Sequence, residues 1–171
     1  AGKQVCRITD QAGNYMPIGE IVDEKSLVNG IIGLLATGGS TNLTMHLVAV
    51  AKAAGVIIDW SDMSELSTAV PLLTRIYPNG HADVNHFQQA GGMAILIREL
   101  LNGGFLHNDV NTIVGRGLER YTLVPTMVDG KLDWLSAAPK SGDETVLTSV
   151  DNAFQPNGGL QLLAGNLGRG V

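Results

Sequence analysis

A single cysteine, Cys6, is the first constraint this sequence imposes. One thiol excludes an internal disulfide and excludes any multi-cysteine metal site built from this chain alone. Aromatic residues are also scarce, at 5% of 171 residues. Positive charge is thin: 11 Lys and Arg stand against 16 Asp and Glu, a net of -5, and the cations form no run. The phosphate-neutralising attraction that dominates nucleic-acid binding is therefore missing, and a nucleic-acid partner is not expected.

Long apolar runs are lacking as well. The richest stretch, Leu43 to Ile58, is broken by His46, Lys52 and Gly55 and falls short of the ~20 apolar residues that span a bilayer. A soluble chain with no membrane partner is expected. Neither an initiator Met nor a basic-then-apolar leader occurs across Ala1 to Asp10, which points to no signal peptide, a cytoplasmic address and an excerpt of something longer.

Glycine is the excess, with 22 residues in 171 against a usual share of about 7%. The doublets Gly38-Gly39, Gly91-Gly92, Gly103-Gly104 and Gly158-Gly159 each sit beside an apolar pattern, as punctuation or as points of close approach. With 44% hydrophobic residues the chain can bury one core.

Periodicity places the elements. Val5 to Ile8 reads as a short strand, followed by a turn-rich Thr9 to Gly19. Asp23 or Ser26 caps a helix carrying Leu27, Ile31, Leu34 and Leu35, which stops at Gly38-Gly39. Ser40, Thr41 and Asn42 open a second helix through Ala54. Its Leu43, Leu47, Val50, Ala51 and Ala54 share a face, and Met45, Val48 and Ala49 make other faces apolar, so a central position is expected. Val56 to Ile58 reads as a buried strand, and Ser61 or Asp62 starts a helix that ends before Pro71 or kinks there.

Tyr77 to Gly80 is a turn, Asp83 caps Val84 to Ala90, and Met93, Leu96, Ile97, Leu100 and Leu101 mark an amphipathic helix that ends at Asn102 to Gly104. Phe105 to Thr122 is a polar loop-strand-loop segment. Beyond Thr126, turns at Asp129-Gly130, Ser141-Gly142 and Asn157-Gly158 alternate with short runs, and Val146 to Val150 reads as a strand. The expected fold is α/β: a helix-rich layered domain portion over residues 1–125, with 126–171 as a connection entering a β-rich domain.

Chemistry concentrates at Thr37-Gly38-Gly39-Ser40-Thr41-Asn42. Glycines that permit close backbone approach lead into hydroxyl and amide side chains at a helix entrance, which suits a carboxylate or phosphate. The same residues also serve a glycine C-cap followed by an ordinary N-cap. No Lys precedes the Ser or Thr as in a nucleotide phosphate loop, and no Gly-x-Ser-x-Gly elbow is present. His46, one turn after Asn42, either faces what Asn42 faces or is a hydrogen-bonded core histidine. His81 and His86 flank Asp83 without a ligand set and read as surface or capping residues. His107 and Asp109 lie at an element end where α/β folds place sites, or in a solvated turn. Gly115-Arg116-Gly117 and Gly168-Arg169-Gly170 each offer a guanidinium to an anion, or simply turn.

Leu34 to Asn42 followed by His46-Leu47, Tyr77 to Gly80, Asn85 to Gln88 with Ala90 to Gly92, and Leu106 to Thr112 together resemble the family that contains dihydroxy-acid and 6-phosphogluconate dehydratases. The resemblance covers most of Asp23 to Tyr121 and resumes at Gly165 to Gly168. Asn85 to Gln88, Asp109 to Thr112 and Arg120 to Thr122 resemble its phosphogluconate branch. The resemblance implies a hydro-lyase that removes water from a 2,3-dihydroxy acid to give a 2-keto-3-deoxy acid, with a phosphorylated sugar acid as substrate and a homodimeric parent. It also implies an iron-sulfur cluster, 4Fe-4S in type, acting as Lewis acid on the departing hydroxyl. Cys6 lies outside the matched motifs, so the cluster ligands are expected outside this chain. Substrate-binding candidates in the matched motifs are Gly39, Ser40, Thr41 and Asn42, with His46 and His107, and none is assigned as the base. A sister sugar-acid dehydratase and a non-catalytic scaffold or oligomerisation segment are the alternatives.

Overall fold

A computed structural model describes residues 2–9 and 13–171. The described residues include seven α-helices, 3-10 turns at Glu119–Thr122 and Val150–Asn152, and three separate two-stranded antiparallel sheets, so the mixed α/β composition is as expected. The helices are α1 (Gly2–Arg7), α2 (Ile18–Ile21), α3 (Glu24–Thr37), α4 (Asn42–Ala53), α5 (Trp60–Ala69), α6 (Val84–Gln89) and α7 (Gly92–Asn102). The strands are β1 (Asn111–Thr112), β2 (Gly115–Arg116), β3 (Leu123–Val128), β4 (Lys131–Ser136), β5 (Leu163–Gly165) and β6 (Gly168–Gly170), each odd strand pairing with the next.

Helix starts follow the capping chemistry. The Asp23 carboxylate accepts from Ser26 N–H at 2.8 Å while Ser26 Oγ accepts from Asp23 N–H at 2.9 Å, closing a reciprocal box at the head of α3. Asp83 and His86 do the same for α6, the capping role expected of His86. For α5 the cap is Asp59, whose carboxylate accepts from Ser61 N–H at 2.6 Å, so the helix begins earlier than Ser61 or Asp62 suggested. The Asp129-Gly130 turn joins β3 to β4 with both residues at positive φ, 49° and 74°, the handedness a tight hairpin requires.

The core gathers Ile31, Ile32 and Leu35 of α3, Leu73, Phe87, Ile95, Leu96 and Leu100, and it is closed by Val146 and Leu147 from far along the chain. The buried stripe of α7 runs through Ala94, Ile95, Leu96 and Leu100, while Met93 faces solvent.

Several expected elements differ in the structure. Val5 to Ile8 is no strand: residues 2–7 form α1, an exposed helical turn and a half whose backbone bonds close locally. The expected turn-rich segment from Thr9 includes residues 10–12, which lie outside those described. Val56 to Ile58 forms no ladder, because no neighbouring strand meets it; it is an extended linker between α4 and α5, with Ile57 91% exposed. Val146 to Val150 is a buried turn with one bridge, Leu147 opposite Thr74, leading to a 3-10 turn at Val150–Asn152.

Helix α4 is peripheral rather than central. Only Thr44 and Ala51 are buried, with Leu47 half-buried against the core. Its contact with α3 is close: a Cβ on Gly30 would stand 3.2 Å from Leu47 Cδ2. Leu43, Met45, Val48 and Val50 are left exposed. An apolar helix surface in a sequence therefore need not be covered by the same chain.

Candidate functional site

The glycine-rich turn is built first as a helix ending. Gly38 sits in the left-handed region (φ 58°) and terminates α3. Gly39 N–H donates to Leu34 O at 3.2 Å and Gly38 N–H to Leu35 O at 3.3 Å, the pair of bonds of a Schellman motif. The remaining carbonyls of the last turn are met from elsewhere, Leu73 N–H donating to Ala36 O (2.8 Å) and Thr74 Oγ1 to Thr37 O (2.7 Å), and Leu35 O takes a second donor, Gly159 N–H (2.9 Å). All four terminal acceptors of α3 are satisfied by protein.

The chain then turns into α4 within three residues. Ser40 O accepts from Leu43 N–H at 3.0 Å, Thr41 O from Thr44 N–H at 3.1 Å, and Ser40 Oγ from Asn42 N–H at 3.3 Å. Thr41 has helical dihedrals and its side chain makes no cap bond. The first-turn amides are thus engaged locally, and an anion reaching this corner meets the exposed side chains of Ser40, Thr41 and Asn42 rather than a row of free N–H groups. Gly39 is half-buried behind them, against Leu34. His46 follows one turn on and is exposed, so it is not a hydrogen-bonded core histidine; α4 turns that side away from α3.

The polar segment after α7 is held by its own side chains. Asn29 of α3 donates from Nδ2 to His107 O and accepts at Oδ1 from His107 N–H, both at 2.8 Å. Lys25, one turn earlier on the helix, pairs with Asp109. Asn108 bonds Glu119 (2.6 Å) and accepts from Leu118 N–H (2.8 Å), and Asn111 donates to Glu20 O (3.0 Å). The bond from Lys25 holds the Asp109 carboxyl below its ordinary range, and that from Asn108 does the same for Glu119. The His107 imidazole is exposed and makes no hydrogen bond among the described residues.

The two sets of candidates are not brought together by this chain. His107 docks at Asn29, whereas Ser40 to Asn42 follow the far end of α3, about 12 Å along a helix rising about 1.5 Å per residue. Arg116 and Arg169 lie exposed in β2 and β6, and neither side chain makes a hydrogen bond or ion pair among the described residues. Two open apolar grooves, of 480 and 420 Å³, flank the linker between α4 and α5; Leu27, Val28 and Leu66 line the first, and Met45, Val48 and Trp60 the second.

A metal cluster does not fit the residues present. Among the described residues no group of three or more His, Cys, Asp or Glu side chains is placed to hold a metal. Cys6 is a free, exposed thiol on α1, and an iron-sulfur cluster needs several thiolates.

Sequence reasoning missed Asn29, Lys25 and the Gly158-Gly159 pair as partners of these segments. Asn29 lies on α3 two residues after Leu27, with nothing in periodicity to tie it to a loop 78 positions on. The only available signal was an unpaired amide in a helix where Asn is a poor former.

The family model for the N-terminal region of dihydroxy-acid/6-phosphogluconate dehydratases matches residues 1–121. A protein of Pseudomonas aeruginosa named phosphogluconate dehydratase is 58% identical over 171 residues, all of this chain and 28% of that protein. Its namesake in Escherichia coli K12 is 57% identical over the same span and share. A Roseiflexus protein named dihydroxy-acid dehydratase is 35% identical over 148 residues, 86% of this chain and 24% of its own length. The chain therefore spans little more than a quarter of the length of these two relatives named phosphogluconate dehydratase. With the motifs at Leu34 to Asn42 and Leu106 to Thr112 inside the matched region, the chain belongs to the dihydroxy-acid/6-phosphogluconate dehydratase family.

Proposed function

We propose that the full-length parent of this chain is a hydro-lyase that converts 6-phospho-D-gluconate to 2-dehydro-3-deoxy-6-phosphogluconate. The observation that carries the reading is identity of 57–58% across every residue of this chain to relatives named phosphogluconate dehydratase, against 35% to one named dihydroxy-acid dehydratase. In the reaction a base takes the C2 proton, hydroxide leaves C3, and the resulting enol tautomerises to the 2-keto acid by gaining a proton at C3. The net loss is one water. The leaving hydroxide and the weakly acidic C2 proton each need electrostatic help at the same time.

Gly39, Ser40, Thr41 and Asn42, with His46 and His107, are proposed to orient the anionic substrate or shape its pocket, with base and metal chemistry supplied from beyond residues 1–171. An iron-sulfur cofactor of the parent would be ligated there, since Cys6 alone provides no cluster site. The reading includes a homodimeric, cytoplasmic parent, with residues 1–125 in its N-terminal α/β domain and 126–171 connecting to a β-rich one. No helix among the described residues is long and apolar enough to cross a membrane.

The test is keto-acid release by the parent from 6-phosphogluconate, gluconate and a branched dihydroxy acid. Turnover of the phosphorylated acid is expected; release from a non-phosphorylated acid alone would overturn the substrate.

A second reading, a scaffold or assembly segment without substrate contact, draws on the exposed apolar surface of α4. Ser40→Ala with Asn42→Ala in the parent separates the two. Loss of turnover favours a substrate role, while unchanged turnover with altered assembly favours the scaffold.

A further inference from the structure

We infer that Asn29 is a positioning residue that fixes His107 as a hydrogen-bond donor to the anionic substrate; this rests on the dehydratase reading. The two bonds from one amide to both backbone groups of His107, each 2.8 Å, act like a rung of a β-ladder and leave that residue no freedom to swing about the loop. The bonds are made from α3, the helix that contributes Ile31, Ile32 and Leu35 to the core, so the clamp stands on an element anchored by packing.

The neighbours argue that the loop is held for a purpose served by His107. Asn108 is spent on Glu119 and Leu118, Asp109 on Lys25, Asn111 on Glu20 O and Thr112 on Gly115 O. Every polar side chain from 108 to 112 secures the loop itself. The His107 side chain alone in that run makes no hydrogen bond among the described residues, while its backbone N–H and C=O are both held by Asn29. Lys25, which would otherwise compete for an anion, is neutralised by Asp109. A fixed backbone carrying an uncommitted imidazole presents a donor to a carboxylate or phosphate oxygen with little ordering cost on binding.

The experiment is a double-mutant cycle in the full-length parent with 6-phosphogluconate. Histidine that binds the anion equally in ground and transition states predicts that His107→Gln raises KM about tenfold with kcat within about twofold. Asn29→Ala should raise KM by a similar factor, Asn29→Asp by less because it keeps the acceptor for His107 N–H, and Asn29→Ala should add nothing in the His107→Gln background. The same KM factor for Asn29→Ala in both backgrounds, or a lowered melting temperature with unchanged KM, overturns the positioning role. An active parent whose KM ignores His107→Gln also overturns it while leaving the dehydratase reading intact. A parent that dehydrates only other acids overturns the substrate reading instead, and the cycle is then run on the acid it accepts. Should Asn29→Ala fail to fold, the Asn29→Asp cycle gives the same comparison.

Discussion

Gly159 lies against Gly38 so closely that a Cβ on Gly159 would collide with Gly38 Cα, while Gly159 N–H bonds Leu35 O at 2.9 Å. Two glycine doublets far apart in sequence thus meet across the end of α3. Gly159→Ala must push two backbones apart, a clash that no change of rotamer relieves. Overpacking of this kind costs about 1–3 kcal/mol, so chemical denaturation of the parent should show a clear loss in its midpoint. A neutral Gly159→Ala would contradict the docking.

Thr74 is fully buried, and its hydroxyl is the partner of the Thr37 carbonyl. Thr74→Val keeps the shape and leaves that carbonyl without its donor, a loss of about 1–3 kcal/mol. Thr74→Ser, which retains the hydroxyl, should recover most of it. Equal stability of the Val and Ser variants would show that the hydrogen bond contributes nothing.

Acidification should act through the helix caps. Asp59 is held below its ordinary value of 3.8 by the backbone N–H of Asp62, and Asp83 by that of His86. A carboxyl depressed in the folded state stabilises fully above its unfolded value and loses that contribution as pH falls through the folded one. The stability gap between the protein and its Asp83→Ala variant should therefore be widest at neutral pH and close below about pH 4. A gap that stays constant down to about pH 2, well below the ordinary carboxylate range, would contradict the cap.

Much of the frame was legible because its signals are local. Asp23, Asp83 and the Gly38 stop mark α3 and α6 through bonds that span only a few residues, and the Asp129-Gly130 turn needs only its own dihedrals. What failed depends on distant neighbours. Val56 to Ile58 has strand composition and no strand to pair with, and α4 has apolar residues on several sides but buries only Thr44 and Ala51. The candidate site was legible as a motif and not as a geometry: Gly38 and Gly39 serve the helix ending first, and the frame that grips His107 comes from Asn29, 78 positions earlier.

The apolar side of α4 gives a further expectation. If it is buried in the assembled parent, Met45→Glu and Val48→Glu should leave helix content intact and loosen the packing of α4, read as faster hydrogen exchange across residues 42–53 or a smaller assembly by light scattering. Unchanged exchange and mass would leave α4 solvent-facing in the parent.

The central claim is tested most directly by supplying purified full-length parent with 6-phosphogluconate and with gluconate and measuring 2-keto-acid release. Release from the phosphorylated acid at a much higher kcat/KM is the predicted result. Release from gluconate alone, or from neither, would contradict it.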